Sequence, residues 1–142
     1  MRKKRKYYTP PSYETRDPEG RHAYMAIYDT LYTSPVWKGL TDKQVRLYLF
    51  CRWQYCAKKE NRPMADYPDM EEYQRPEVFY MNWRKVRSAG LYKENRERFY
   101  DDMKELCRRG LIERLFNGKR YRKKSVYRLS DLWHKYKSES ET

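Results

Sequence analysis

The chain has 142 residues, enough for one domain with a real core, because a chain of this size can bury about two-thirds of its unfolded surface. Its 33 Lys and Arg against 20 Asp and Glu leave a formal charge of +13, which repels itself in a compact body unless an anionic partner compensates it. No apolar run spans a bilayer, no apolar stretch follows the basic start to make a secretory signal, and three Cys with two His assemble no zinc spacing.

Aromatic residues make up 17% of the chain, with 16 Tyr, 4 Trp and 4 Phe, and their large apolar area excludes a wholly disordered protein. Residues 1–22 read as a flexible basic arm, in which Arg2, Lys3, Lys4, Arg5 and Lys6 are contiguous and Pro10, Pro11 and Pro18 prevent regular structure. Residues 23–136 read as the domain and 137–142 as a disordered tail. Within the domain, a short helix is expected near Asp29 to Thr33, with a break at Pro35. Thr41-Asp42-Lys43-Gln44 has the form of a capping box, and the helix behind it is expected to run to about Lys58. Apolar residues on nearly every side make that helix the central scaffold.

Residues 60–77 carry Glu60, Asp66, Asp69, Glu71, Glu72 and Glu77 between three prolines, and read as a long acidic loop insertion. Val78 to Met81 can form a strand. Asn82 can cap a short helix through Ser88 that Gly90 ends, and Asn95 can cap the next helix, which Gly110 ends. That helix carries Phe99, Met103, Leu106 and Cys107 toward a core, which turns Glu94, Glu97, Arg98, Asp101, Glu105 and Arg108 outward. Residues 112–116 and 126–129 then read as a hairpin with Asn117-Gly118 as its turn, and Ser130 can cap a last helix with Leu132, Trp133 and Tyr136. Cys51, Cys56 and Cys107 fall on apolar helix faces, as reduced, buried thiols of a cytoplasmic protein do, and all four Trp read as packing anchors.

Helix, short helix, turn, helix and a basic-tipped hairpin resemble, over about residues 41–133, the winged helix-turn-helix proteins. Phe99, Met103, Leu106 and Gly110-Leu111-Ile112 are similar to that family's third helix running into its first wing strand. The fold class this implies is α+β, a three-helix core plus a β-hairpin wing, with the basic arm in front and a C-terminal helix behind. The phrases Thr33-Ser34-Pro35-Val36-Trp37-Lys38-Gly39-Leu40-Thr41 and Tyr127-Arg128-Leu129-Ser130-Asp131-Leu132-Trp133 are similar to small replication-initiator and regulator proteins of bacterial mobile elements and phages. That similarity implies work in replication initiation or transcriptional regulation.

The charges point to nucleic acid independently of the resemblance. Between Arg114 and Arg128 there are seven cations and no acid, and a turn presenting Lys119, Arg120, Arg122, Lys123 and Lys124 holds a dense positive patch over phosphates or in a minor groove. Tyr121 among them can stack or hydrogen-bond. Charge runs also occur as plainly solvated surface, but arm residues 2–6 supply a second basic extension able to follow a groove. Lys93, Asn95, Arg96 and Arg98 at the start of the last core helix, with Arg84, Lys85 and Arg87 of the preceding one, complete the candidate contacts. Four acids on the outward face of that helix repel phosphate, so either only its first turn reaches DNA or its acidic face meets a protein.

No Gly-rich phosphate loop, paired His or Ser/His/Asp set is present, so neither an enzyme, a metal site nor a cofactor is expected. The expected partner is duplex DNA, beside a second copy of the chain or another replication protein. A protein-interaction module of a replication or conjugation complex is the rival reading, and charge does not separate DNA from RNA.

Overall fold

The computed structural model describes Tyr13 and residues 25–136. The basic arm, its cations Arg2 to Lys6 and the 137–142 tail lie outside the described residues. The body is α+β. Two four-residue helices, α1 (Asp29–Tyr32) and α2 (Pro35–Lys38), lead into α3 (Asp42–Trp53), and the short α4 (Pro63–Asp66) precedes strand β1 (Val78–Tyr80). Then come α5 (Trp83–Ser88), α6 (Arg96–Arg108), β2 (Ile112–Phe116) and β3 (Val126–Leu129). The three strands form one antiparallel sheet in the order β1-β3-β2.

Local chemistry sets most of these boundaries. Thr41 Oγ1 accepts from Gln44 N at 3.2 Å while Gln44 Oε1 accepts from Thr41 N at 3.0 Å, the reciprocal pair of a capping box. Asn82 and Asn95 cap α5 and α6 by accepting from Lys85 N and Arg98 N. Both helices end alike: Leu91 N reaches Val86 O as Leu111 N reaches Leu106 O, around Gly90 and Gly110 at φ 77° and 78°. At Gly110 a side chain is barred twice over, since a Cβ there would also lie 2.5 Å from Trp133 N.

Several expected boundaries move. α1 ends before Pro35, as expected, but Pro35 itself opens a further helix, α2, where its missing N–H is no loss, and Ser34 Oγ accepts from Trp37 N in front of it. The scaffold helix stops at Trp53 and tightens into a 3-10 turn, Gln54–Cys56, rather than running to Lys58. That end lies open: Trp53 is 42% exposed and is no packing anchor, and Cys56 is exposed rather than buried. Cys51 is fully buried and Cys107 half-buried. The last helix is a single 3-10 turn, Leu132–Lys135, with Ser130 Oγ accepting from Leu132 N.

The main core lies between α3, α5, α6 and one face of the sheet. Leu47, Tyr48 and Cys51 of α3 meet Val86 of α5, Phe99, Met103 and Leu106 of α6, and Phe79, Ile112 and Tyr127 of the strands. Side chains alternate across a strand, so Val78, Tyr80 and Val126 point to the other face. There they form a second cluster with Tyr73, against which Tyr67, Leu115 and Phe116 pack. Residues 60–77 are therefore not a loose acidic loop. Through α4 and 3-10 turns at Lys59–Asn61 and Glu71–Gln74 they cover the outer face of the sheet. Tyr80 donates from its hydroxyl to Asp66 Oδ2 at 2.7 Å, and Arg128 pairs with both Glu72 and Glu113. Burial first, and then the bond to Asp66, push the Tyr80 hydroxyl well above the ordinary tyrosine range.

One polar group sits inside the helical layer. Asp102, 5% exposed, lies three residues from Phe99 on the apolar stripe of α6. It accepts from Tyr92 Oη at 2.6 Å and from Gln44 Nε2 at 3.1 Å, with Arg98 Nε at 3.9 Å. The capping residue of α3, the turn before α6 and α6 itself are thereby joined through one carboxylate, which satisfies its burial. At the far end of α6, Arg109 donates to Glu105, to Val36 O and to Gly39 O, tying that end to α2.

Two consequences are measurable. Leu106 is fully buried, so Leu106→Ala should lower the stability read from urea unfolding by about 2–5 kcal/mol; a variant as stable as the parent would mean that this face of α6 is not in the core. Hydrogen bonds from Arg108 hold the Glu105 carboxyl below the ordinary glutamate value, against the opposing effect of burial. A lowered folded-state value means stabilisation present above the unfolded value and lost as pH falls through the folded one. Glu105→Gln should thus be less stable than wild type at neutral pH, with the difference closing below about pH 4. Unfolding midpoints across that range would detect a pH-independent gap, the contrary result.

Candidate nucleic-acid interface

The hairpin β2-β3 carries the basic tip, and its register shows how the tip is held. Ile112 faces Leu129, Glu113 faces Arg128 and Arg114 faces Tyr127, but Phe116 faces Val126, so β2 advances two residues where β3 advances one. Leu115 is the extra residue, a bulge that bends the strand and increases its twist. The tip beyond it is not the two-residue Asn117-Gly118 turn expected of that dipeptide. It is a nine-residue connection, 117–125, containing a 3-10 turn at Gly118–Tyr121 and a left-handed Arg122 at φ 55°. The dipeptide's local preference yields to this longer arrangement because non-local bonds brace it. Asn117 Oδ1 accepts from Lys119 N, Gly118 N donates to Ser125 Oγ at 3.0 Å, and Lys123 N donates to Gly118 O at 2.9 Å.

Lys119, Arg120, Tyr121, Arg122, Lys123 and Lys124 are all exposed. No acid among the described residues lies within 4 Å of the five cations. Arg128, by contrast, is tied at the base of the hairpin by Glu113 and Glu72, so the acidic segment grips the root of the hairpin and leaves the tip cations unneutralised.

Between the hairpin and the helices runs a groove of about 1150 Å³. The hairpin side contributes Arg114, Lys119, Arg122, Lys123 and Lys124; α5 contributes Arg84, and α6 contributes Arg96 and Lys104. Glu97 and Asp101 of α6 also face it. Tyr100 joins the two walls. Lys119 Nζ lies 5.2 Å from the centre of its ring, and Arg96 packs on the ring at 5.7 Å while donating to its hydroxyl at 3.2 Å. The contact with Arg96 lies within α6 and orients the ring, and the contact with Lys119 crosses from the hairpin to the helix. Sequence reasoning passed over Tyr100, although its position one residue after Phe99 places it at the edge of the apolar stripe, where a ring faces a neighbouring element.

The other candidates distribute unevenly. Lys93 and Arg87 are exposed but do not line the groove, and Arg98 is half-exposed beside Asp102. Asn95 uses its side-chain oxygen to cap α6. Lys85 is turned inward, donating to Gln54 Oε1 at 3.0 Å and Tyr80 O at 3.2 Å. Burial first, then the nearby Lys124 charge, lower the affinity of Lys85 for its proton.

Among the described residues no group of three His, Cys, Asp or Glu could hold a metal ion, and no helix is long and apolar enough to cross a membrane. Comparison with protein-family models, with curated proteins and with solved structures finds no match for this chain.

Gly118 offers a test of the tip. A Cβ there would fall 2.1 Å from Lys123 O, so Gly118→Ala must displace the returning backbone that carries Lys123 and Lys124. Amide hydrogen exchange at residues 117–125 should accelerate in this variant while that of Leu47 and Leu106 keeps its protection. Unchanged exchange at the tip would mean that the close approach at Gly118 does not hold the loop.

Proposed function

We propose that this chain is a winged-helix protein that binds duplex DNA through the hairpin tip and the first turn of α6. The reading rests on one observation above all: four exposed tip cations, Lys119, Arg122, Lys123 and Lys124, with no acid within 4 Å among the described residues, share a groove with Arg84 and Arg96 on the two helices. A line of fixed cations displaces the counterions condensed on phosphates, which is the main source of affinity for nucleic acid. The element order α3, β1, α5, α6, β2, β3 and the sheet order β1-β3-β2 are compatible with a winged helix-turn-helix.

In this reading the tip follows the phosphate backbone or enters a minor groove, and Arg96 and Arg84 clamp the backbone beside α6. Glu97 and Asp101 keep phosphates away from the middle of the helix. A carboxylate can nevertheless accept from the amino group of cytosine in a major groove, so the acids favour base contact over backbone contact there. The acidic segment 60–77, which motivates a protein-interaction reading, is used in covering the outer face of the sheet. Similarity of the flanking phrases to replication initiators and regulators of mobile elements and phages supports a role in replication initiation or transcriptional control of such a genome.

Binding to duplex DNA at increasing salt tests the reading. Log affinity should fall linearly with log salt, with a slope of about −0.9 per phosphate contacted. Replacing Lys119, Arg120, Arg122, Lys123 and Lys124 by Gln should weaken binding and flatten the slope by about one for each cation in contact, with the thermal midpoint little changed. Absence of binding at low salt, or a slope indifferent to these five substitutions, would refute the proposed interface.

A further inference from the structure

The tip carries a feature that phosphate neutralisation does not use. Tyr121 is 61% exposed, and its ring lies nearly parallel to that of Phe116, with centroids 5.8 Å apart and an interplanar angle of 15°. Phe116 is half-buried against the cluster of Tyr73, Val78, Tyr80 and Val126, so the lower ring of the stack is anchored in the body. The loop beneath Tyr121 is braced by Asn117, by the Gly118 contacts and by Ser125. An aromatic ring held by one face on a rigid support needs little ordering before a second flat group stacks on it. Arg120 and Arg122 flank Tyr121 in the chain, and Lys119, Lys123 and Lys124, exposed like them, lie within three residues of it.

We infer that Tyr121, stacked on Phe116, is a platform for an unpaired DNA base, so that the tip favours duplexes carrying unpaired nucleotides over uninterrupted ones. The inference rests on the DNA-binding reading above and specifies the form of DNA it selects. A base within an intact duplex already has both faces stacked on its neighbours and offers neither to an outside ring. An unpaired base offers a whole face, and the cations beside Tyr121 receive the phosphates of the strand that carries it. The parallel ring geometry favours a planar π-system as ligand over a hydrogen-bonded phosphate, which would use only the hydroxyl.

The test compares a blunt-ended, fully paired duplex with a duplex of the same length and ends interrupted by a central unpaired bubble, both measured by fluorescence anisotropy at one salt concentration. Wild type should bind the bubble about five to a hundred and fifty times more tightly. It should also change the fluorescence of 2-aminopurine placed in the bubble. Tyr121→Ala should bring the ratio of the two affinities to near one, while Tyr121→Phe keeps it. Lys123→Gln should weaken both complexes and leave the ratio in place. Equal wild-type affinity for the two DNAs overturns the inference, as does a preference that survives Tyr121→Ala or is lost equally in Tyr121→Phe. Failure to bind either DNA at low salt has a different signature and removes the DNA-binding reading together with it.

Discussion

Strand β3 is held on both sides, and the rest of the molecule depends on that. It pairs with β1 along Val126 to Arg128 and with β2 along Val126 to Leu129, so the hairpin is rooted in the sheet rather than hung from its edge. Because β1 leads directly into α5, and α6 leads directly into β2, the same pairing fixes the two helices relative to the hairpin. The groove is the space left between them. Hairpin and α6 also touch across it where Lys119 lies against the ring of Tyr100.

Burial and charge are divided between the two faces of the sheet. Phe79, Ile112 and Tyr127 meet the helices on one face, while Val78, Tyr80 and Val126 meet the acidic segment on the other. A three-stranded sheet with only one covered face would leave Tyr80, Val126 and Phe116 open to water, an apolar patch on a highly charged protein. The segment 60–77 closes that patch with Tyr67 and Tyr73, and its carboxylates bond to Tyr80 and Arg128 at the rim. On the helical side Asp102 does comparable work inside the core, joining Gln44 and Tyr92 to α6.

What the sequence revealed and what it concealed differ by the range of the interactions involved. The capping box at Thr41 and Gln44, the caps at Asn82 and Asn95, and the glycines that end α5 and α6 are decided by atoms a few residues apart, and all were legible. The strands 112–116 and 126–129 were legible for a related reason, since alternation and spacing mark a hairpin. The span of the tip follows from them, but its conformation was not legible. Asn117-Gly118 favours a short turn locally, but the Ser125 and Lys123 contacts to Gly118 and the bulge at Leu115 select a longer one. The docking of 60–77 on the sheet depends on Tyr67 and Tyr73 finding strands that follow them, which no local pattern announces. Asp102 carries no local mark either: its burial depends on its three-residue spacing from Phe99 together with the positions of Tyr92 and Gln44. At the interface, the exposure of the tip cations was readable from their run of charge, whereas the inward turn of Lys85 and the bridging position of Tyr100 required the tertiary structure.

The placement of the acidic segment on one face of the sheet, with the cationic groove along the other, has an effect that begins before any contact is made. Charges segregated in this way contribute an electric moment directed across the sheet. In the field of a polyanion such a moment exerts a torque, turning the groove toward the polymer and the carboxylates away while the two are still separated by solvent. Encounters are then oriented in advance, and the bias fades as added salt shortens the distance over which it acts.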